Sequence, residues 1–147
     1  MKITDAFLGE HAVFYAQFNH MEQTVPDAVS VEFVNIQCAL LASALKGHAQ
    51  LEEDLLFKTL ESSIGSDGPL KVMRAEHEEI ESSLEQMPAI QALDQAQALL
   101  LKVIEIARNH FAKEEHVLYP IAQKTLSSEV LTDLGNQWSQ HRVVRLG

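Results

Sequence analysis

The sequence predicts an all-α protein: an antiparallel up-down-up-down four-helix bundle followed by a short C-terminal helix. Three observations carry that expectation. Apolar residues recur at helical rather than alternating spacing along the 147 residues. An apolar content of 46% goes with only six Gly and four Pro, a composition suited to a compact protein with few loops. Breaks fall around Val25-Pro26-Asp27, between Ser63 and Pro69, at Met87-Pro88, and between Leu126 and Ser128. They leave four long segments with short connections, which favours antiparallel neighbours.

The first helix is expected to start after Thr4, a residue suited to an N-cap, and to turn Phe7, Leu8, His11, Phe14, Tyr15 and Phe18 inward. The second is expected from near Asp27, with Phe33, Val34, Gln37, Leu41, Ala44, Leu45, His48, Glu52, Leu55 and Leu56 inward. Ser66-Asp67-Gly68-Pro69 announces the third, because proline suits a first helical turn. Its inward line is Met73, His77, Ile80, Leu84 and Met87. The fourth begins between Ala89 and Gln95 and carries Leu99, Val103, Ala107, His110, Glu114, Val117, Leu118 and Ile121. Pro120 is expected to kink or end it, since a prolyl nitrogen cannot donate to the His116 carbonyl. A short fifth helix runs from about Ser128 to Trp138, capped by Ser127 or Ser128. The expected organisation is one domain over 1–147, with the bundle at about 4–126 and the C-terminal helix and tail at 127–147.

Eleven basic residues against 21 acidic ones give a net charge of −10. That balance argues against nucleic acid and against anionic membrane surfaces as partners, because both repel an acidic protein. Cys38 is the single cysteine, so no intramolecular disulfide forms. The N-terminus lacks the apolar run of a signal peptide, and no stretch reaches the ~18 apolar residues of a membrane span. A soluble, cytoplasmic protein is expected.

The most informative feature is a repeated helical unit, His48-x-x-x-Glu52 and His110-x-x-x-Glu114. Residues four apart share a helix face, roughly 6 Å of rise from each other, so an imidazole and a carboxylate reach one point. An isolated His-x-x-x-Glu is usually a solvated pair. These two, however, lie among Leu41, Leu45, Leu51, Leu55 and Leu56, and among Ile106, Ala107 and Phe111. His11 and His77 fall in the inward stripes of the other two helices, giving one histidine per helix. Buried ionisable groups in such numbers call for a metal. Imidazole suits divalent transition metals, and carboxylates suit harder ions and can bridge two of them. Four nitrogens and two carboxylates underfill two six-coordinate ions, leaving positions for solvent or a small ligand. Zinc is less favoured, since its structural sites are closed and four-coordinate.

GEHAVF around His11, HAQLEEDLLF from His48, AEHEEI around His77 and HFAKEEHVLYP from His110 together resemble the hemerythrin-like family of HHE cation-binding domains. The likeness covers roughly residues 4–121. It implies a four-helix bundle holding two iron ions in an oxo- or hydroxo-bridged di-iron centre. By motif position, His11, His48, His77 and His110 become terminal ligands, and Glu52 and Glu114 become bridges. One position departs from the oxygen carriers of that family, which have a further histidine one turn before the third-helix one. Here it is Met73, whose thioether is a poor ligand for a ferric ion and is expected to pack. One iron then keeps an open position, unless Glu81, one turn after His77, substitutes. Solvent is the more ordinary place for Glu81.

Tyr15 is placed either to hydrogen-bond a bound ligand or to pack in the core. His20, His116 and His141 fall off the ligand line, and Glu53 and Glu115, which follow the bridging glutamates, either orient ligands or, as is more ordinary, are exposed charge. Trp138 and the apolar tail of Val143, Val144 and Leu146 either pack on the bundle or form a dimer face, so a monomer or a homodimer is expected. The first functional reading is a di-iron protein that binds or senses a diatomic or other oxygen species, or handles iron. The alternative is a di-iron redox enzyme acting in peroxide or nitric oxide reduction or in iron–sulfur cluster repair. Family members of the latter kind often carry an added cysteine-bearing N-terminal domain. This chain begins at its bundle, which favours binding or sensing.

Overall fold

The computed structural model describes residues 1–147 and is all-helical. Its helices are α1 (Ile3–Thr24), α2 (Val31–Leu51), α3 (Lys58–Ile64), α4 (Pro69–Glu85), α5 (Leu93–Lys113), α6 (Tyr119–Thr125) and α7 (Ser128–Arg142). α2 and α3 are one rod joined by a π turn, Glu52–Phe57, and α5 and α6 are another, joined by the π turn Glu114–Leu118. With α1 and α4 these rods make the expected four-helix bundle, and α7 lies against α1. Each expected break is present. Short 3₁₀ turns occupy Val25–Asp27 and Met87–Ala89, and Gly65 and Gly68 take positive φ (80° and 86°) at the α3–α4 corner.

Several boundaries differ from the sequence expectation. Thr4 does not cap α1; Lys2 stands at the N-cap and Thr4 is fully buried, its hydroxyl accepting from Gln123 Nε2 at 3.1 Å. α2 starts at Val31 rather than near Asp27, because Pro26 winds its neighbours into a 3₁₀ turn and the Ser30 hydroxyl then accepts from the Phe33 amide. Ser127 caps α7 by accepting from the Val130 amide, and that helix runs on past Trp138 to Arg142. Leu8 and Phe33, expected inside, lie largely at the surface. The tail residues Val143, Val144 and Leu146 are exposed.

Two apolar clusters stack along the bundle axis. One contains Phe14, Phe18, Leu41, Leu45, Ile80, Leu84, Val103 and Ala107. The other contains Phe7, Leu51, Leu56, Leu70, Met73, Leu118, Leu131 and Leu134. Along α1 and α4 the chain passes from the second cluster to the first, and along α2 and α5 from the first to the second. That alternation is the up-down-up-down order. At the crossing point of each long helix sits one histidine: His11, His48, His77 and His110.

The π turns reset the helix faces. A π turn holds one more residue than an α turn, so the residue five beyond each glutamate swings back inward. Tyr119 (five after Glu114) and Phe57 (five after Glu52) are therefore buried, while Val117, expected inside on α-helical spacing, is 50% exposed. Pro120 does not end the helix, because it falls in the first turn of α6. Val117→Lys should therefore change unfolding free energy by no more than ~0.5 kcal/mol. Leu118→Ala, which empties a 1% exposed position, should cost about 2–5 kcal/mol in urea melts.

Candidate metal centre

Between the two clusters, His11, His48, Glu52 and Glu114 each bring one nitrogen or carboxylate oxygen to within 4.8 Å of the others, and Glu52, His77, His110 and Glu114 do the same. The two sets share both carboxylates. The sharing is oxygen by oxygen. Glu52 turns Oε1 to His48 Nε2 (3.4 Å) and Oε2 to His77 Nε2 (3.2 Å). Glu114 turns Oε2 to His11 Nε2 (3.1 Å) and Oε1 to His110 Nε2 (2.8 Å) and His77 Nε2 (3.6 Å). All six residues that the sequence singled out thus meet at one place. Both glutamates are fully buried, and His77 is the one imidazole with partial exposure.

The surroundings fix the imidazoles. His11 Nδ1 faces Glu115 Oε1 at 2.9 Å, and Tyr15 donates to the same oxygen at 2.9 Å. His48 Nδ1 faces Glu10 Oε2 at 2.5 Å. A carboxylate at Nδ1 holds the proton there and leaves the Nε2 lone pair aimed at the centre. Phe111 stacks on His11 with ring centroids 3.9 Å apart, and Phe57 stacks on His77 at 5.5 Å. Arg74 bonds both oxygens of Glu53 and also reaches Glu61, clamping α4 to the π turn that begins at Glu52.

These donors fit a cation. Close as they approach one another, Glu52 Oε2, both Glu114 oxygens, His77 Nε2 and both His110 nitrogens are buried with no hydrogen bond of proper geometry. Native interiors rarely leave so many polar atoms orphaned in one place. His11 Nε2 and His48 Nε2 approach to 3.1 Å, a contact that requires a proton or a cation between two lone pairs. Burial works against the charged form of His48, but the Glu52 charge and the Glu10 hydrogen bond outweigh it and raise the imidazole to about 10. His77 is likewise raised to about 9, burial being overcome by Glu114 and Glu52. Glu52 is pulled well below its ordinary range, the attraction of His48 and His77 exceeding the effect of burial.

Tyr119 and Glu10 are site residues that sequence reasoning missed. Tyr119 donates to Glu52 Oε1 at 2.7 Å and lies 3.3 Å from His11 Nε2. Burial, with Glu52 and Glu114 beside it, holds its hydroxyl well above the ordinary phenol range. The position of Pro120 after Glu114-Glu115-His116-Val117-Leu118 was the available hint that the helix register changes there. Of the two expectations for Glu115, the more ordinary one of exposed charge gives way to the other, and it orients His11. Glu53 is half-buried in its Arg74 pair. Glu81 is exposed and pairs with Lys46 at 3.5 Å, so it does not replace the missing histidine. Met73 packs beside Leu70 and Phe57, as expected. His20, His116 and His141 are exposed and away from the centre. A cleft of about 740 Å³ between α2 and α4, lined by Leu45, Ile80, Leu84 and Phe111, extends to His48, His77 and His110.

A four-helix bundle with buried, convergent histidines and glutamates defines a metal-binding protein. The family described as Hemerythrin HHE cation binding domain matches residues 2–122, and the chain belongs to that family. No curated protein and no solved structure matches it. No helix is long and apolar enough to cross a membrane.

The metal-free site has a defined pH response. His48 and His77 are raised above an ordinary value of 6.5, so their contribution to stability is complete below that pH and is lost as pH rises through about 9 to 10. Glu52, depressed below 4.5, contributes above that value and loses its contribution in acid. Metal replaces the imidazole protons and binds more tightly as they leave. In thermal melts, Tm of chelated protein should fall between pH 6.5 and pH 10, and the gap to metal-loaded protein should widen over the same interval. A flat, pH-independent gap would mean that the imidazoles are not the groups exchanging protons for metal.

Proposed function

We propose that the centre holds about two iron ions, one on the His11–His48 side and one on the His77–His110 side, bridged by Glu52 and Glu114. The observation that supports this reading most is the division of each carboxylate, one oxygen toward each histidine pair. A mononuclear site has no use for that arrangement. Four imidazole nitrogens and four carboxylate oxygens supply four donors per ion, which suits ions preferring six ligands and leaves positions for small molecules. Iron bound in this way supplies a one-electron redox change at each ion together with an open position for a diatomic or peroxide.

The protein's own part is to hold, orient and exclude. Glu115 and Glu10 keep His11 and His48 in the Nδ1-protonated form. Tyr119 keeps a proton within 2.7 Å of Glu52 Oε1, in reach of the centre. Met73, one turn before His77 and in one apolar cluster with Phe57 and Leu70, supplies no nitrogen. The cleft between α2 and α4 gives small molecules a way in. Binding or sensing of an oxygen species or other diatomic, in a single domain over 1–147, is therefore the function we infer.

Metal analysis of purified variants tests the ligand map. Glu52→Ala and Glu114→Ala should each lose both ions, since each removes a bridge, whereas His11→Ala should cost mainly one. Full occupancy in all three would refute it. Met73→His tests the open position. It sets an imidazole at i−4 to His77, on the same face. The variant should autoxidise more slowly in air and bind azide more weakly, followed by the azide-dependent absorption band. Equal behaviour of the two proteins would mean that the position beside Met73 is not the reactive one.

A further inference from the structure

α7 lies beyond the matched residues, yet it reaches a residue of the metal centre. Glu10 accepts from His48 Nδ1 through Oε2 at 2.5 Å. Its other oxygen, Oε1, accepts from Trp138 Nε1 at 2.8 Å and from Arg142 Nε at 2.7 Å, both on α7. We propose that Glu10 is a positioning residue for the metal centre and that α7 holds it in place. On this proposal, docking of α7 and occupancy of the His11–His48 side favour each other. The inference rests on the metal reading above.

Three features separate this network from an ordinary surface ion pair. The first is direction. The Trp138 indole N–H is a single fixed donor, and with Arg142 it pins Oε1, so that Oε2 has one place to point. The second is the rigidity of the seat. Leu131 and Leu134 are buried in the cluster that contains Phe7 and Met73. A Cβ at Gly135 would stand 2.1 Å from the Met1 carbonyl oxygen, so the helix meets the N-terminal backbone at a distance that only glycine permits.

The third is contrast with the other histidines. The acceptor of His11, Glu115, is steadied by Tyr15 of α1, inside the four-helix region. Glu76 stands 3.8 Å from His110 Nδ1 and is held by Lys113 of α5. His48 alone has its acceptor fixed from outside that region. A partner carboxylate sets the tautomer, the ring orientation and the basicity of a ligating imidazole. Loss of α7 would free Glu10 to turn toward solvent and release His48. Because coupling between two binding events is reciprocal, an ion that orders His48 also tightens the grip on α7.

Cobalt(II) titration, followed by visible absorption and by competition with a chelator, tests the proposal without requiring any activity. Glu10→Ala should weaken one of the two binding steps by about 10–100-fold. The double variant Trp138→Phe with Arg142→Gln leaves Glu10 and all six candidate ligands intact. It should weaken the same step by about threefold or more and leave the other unchanged, since the coupling runs through one further residue. Gly135→Ala displaces α7 by a different route and should have the same effect. Circular dichroism of the metal-free variants checks that the bundle is folded. In wild type, cobalt loading should slow hydrogen exchange of α7 amides, and the double variant should show less slowing. Wild-type affinities in the double and Gly135 variants, or α7 exchange indifferent to cobalt in wild type, would overturn the inference while leaving the metal reading standing. Failure of wild type to take up cobalt at the central histidines would overturn both.

Discussion

Glu52 and Glu114 stand side by side in the middle of the bundle with no solvent exposure, and the rest of the structure is organised around supplying positive charge between them. An isolated buried carboxylate is among the costliest groups a protein can hold, and two within reach of each other are worse. Imidazoles from four helices meet that demand: His48 and His77 are raised so that they carry protons in the metal-free chain, and all four converge where a cation would sit between the glutamates. The apolar clusters on either side remove water from the site and so strengthen every attraction inside it. The same dryness makes the bundle dependent on whatever occupies the centre. Fold and site are therefore not separable: the histidines lie where the core would otherwise be continuous.

The π turns convert this placement into geometry. Both begin at the shared glutamates, Glu52 and Glu114. π turns recur at functional sites because an extra residue in a turn brings round a side chain that the α register would leave outside. Here the residues brought round are Phe57, which stacks on His77, and Tyr119, which bonds Glu52. One wall of the centre thus receives an aromatic ring and the other a hydroxyl. Glu53, next to Glu52, is gripped by Arg74, which holds the first of these turns against α4.

Most of the architecture was legible in the sequence, because breaks written in Pro, Gly and Ser are local signals and the turns formed where those residues stand. The six central residues were legible for a different reason. Each lies in an apolar stripe where an ionisable side chain has no ordinary place, and the His-x-x-x-Glu spacing repeats. What stayed hidden was non-local. Glu10 and Glu115 look like solvated neighbours of ligands until the facing helix supplies an imidazole 38 or 104 residues away. Tyr119 was hidden, and Val117 misplaced, by counting in an unbroken α register across a π turn. Thr4 failed as a cap because its hydroxyl is used by Gln123, a partner 119 residues along the chain.

Anomalous diffraction at the iron edge, from crystals of iron-loaded protein, addresses the shared-carboxylate arrangement most directly. Two peaks are expected, about 3.5–4 Å apart. One should lie between His11 and His48 and the other between His77 and His110, each beside one oxygen of Glu52 and one of Glu114. A single peak, or peaks that contact neither glutamate, would contradict a dinuclear centre bridged by these residues.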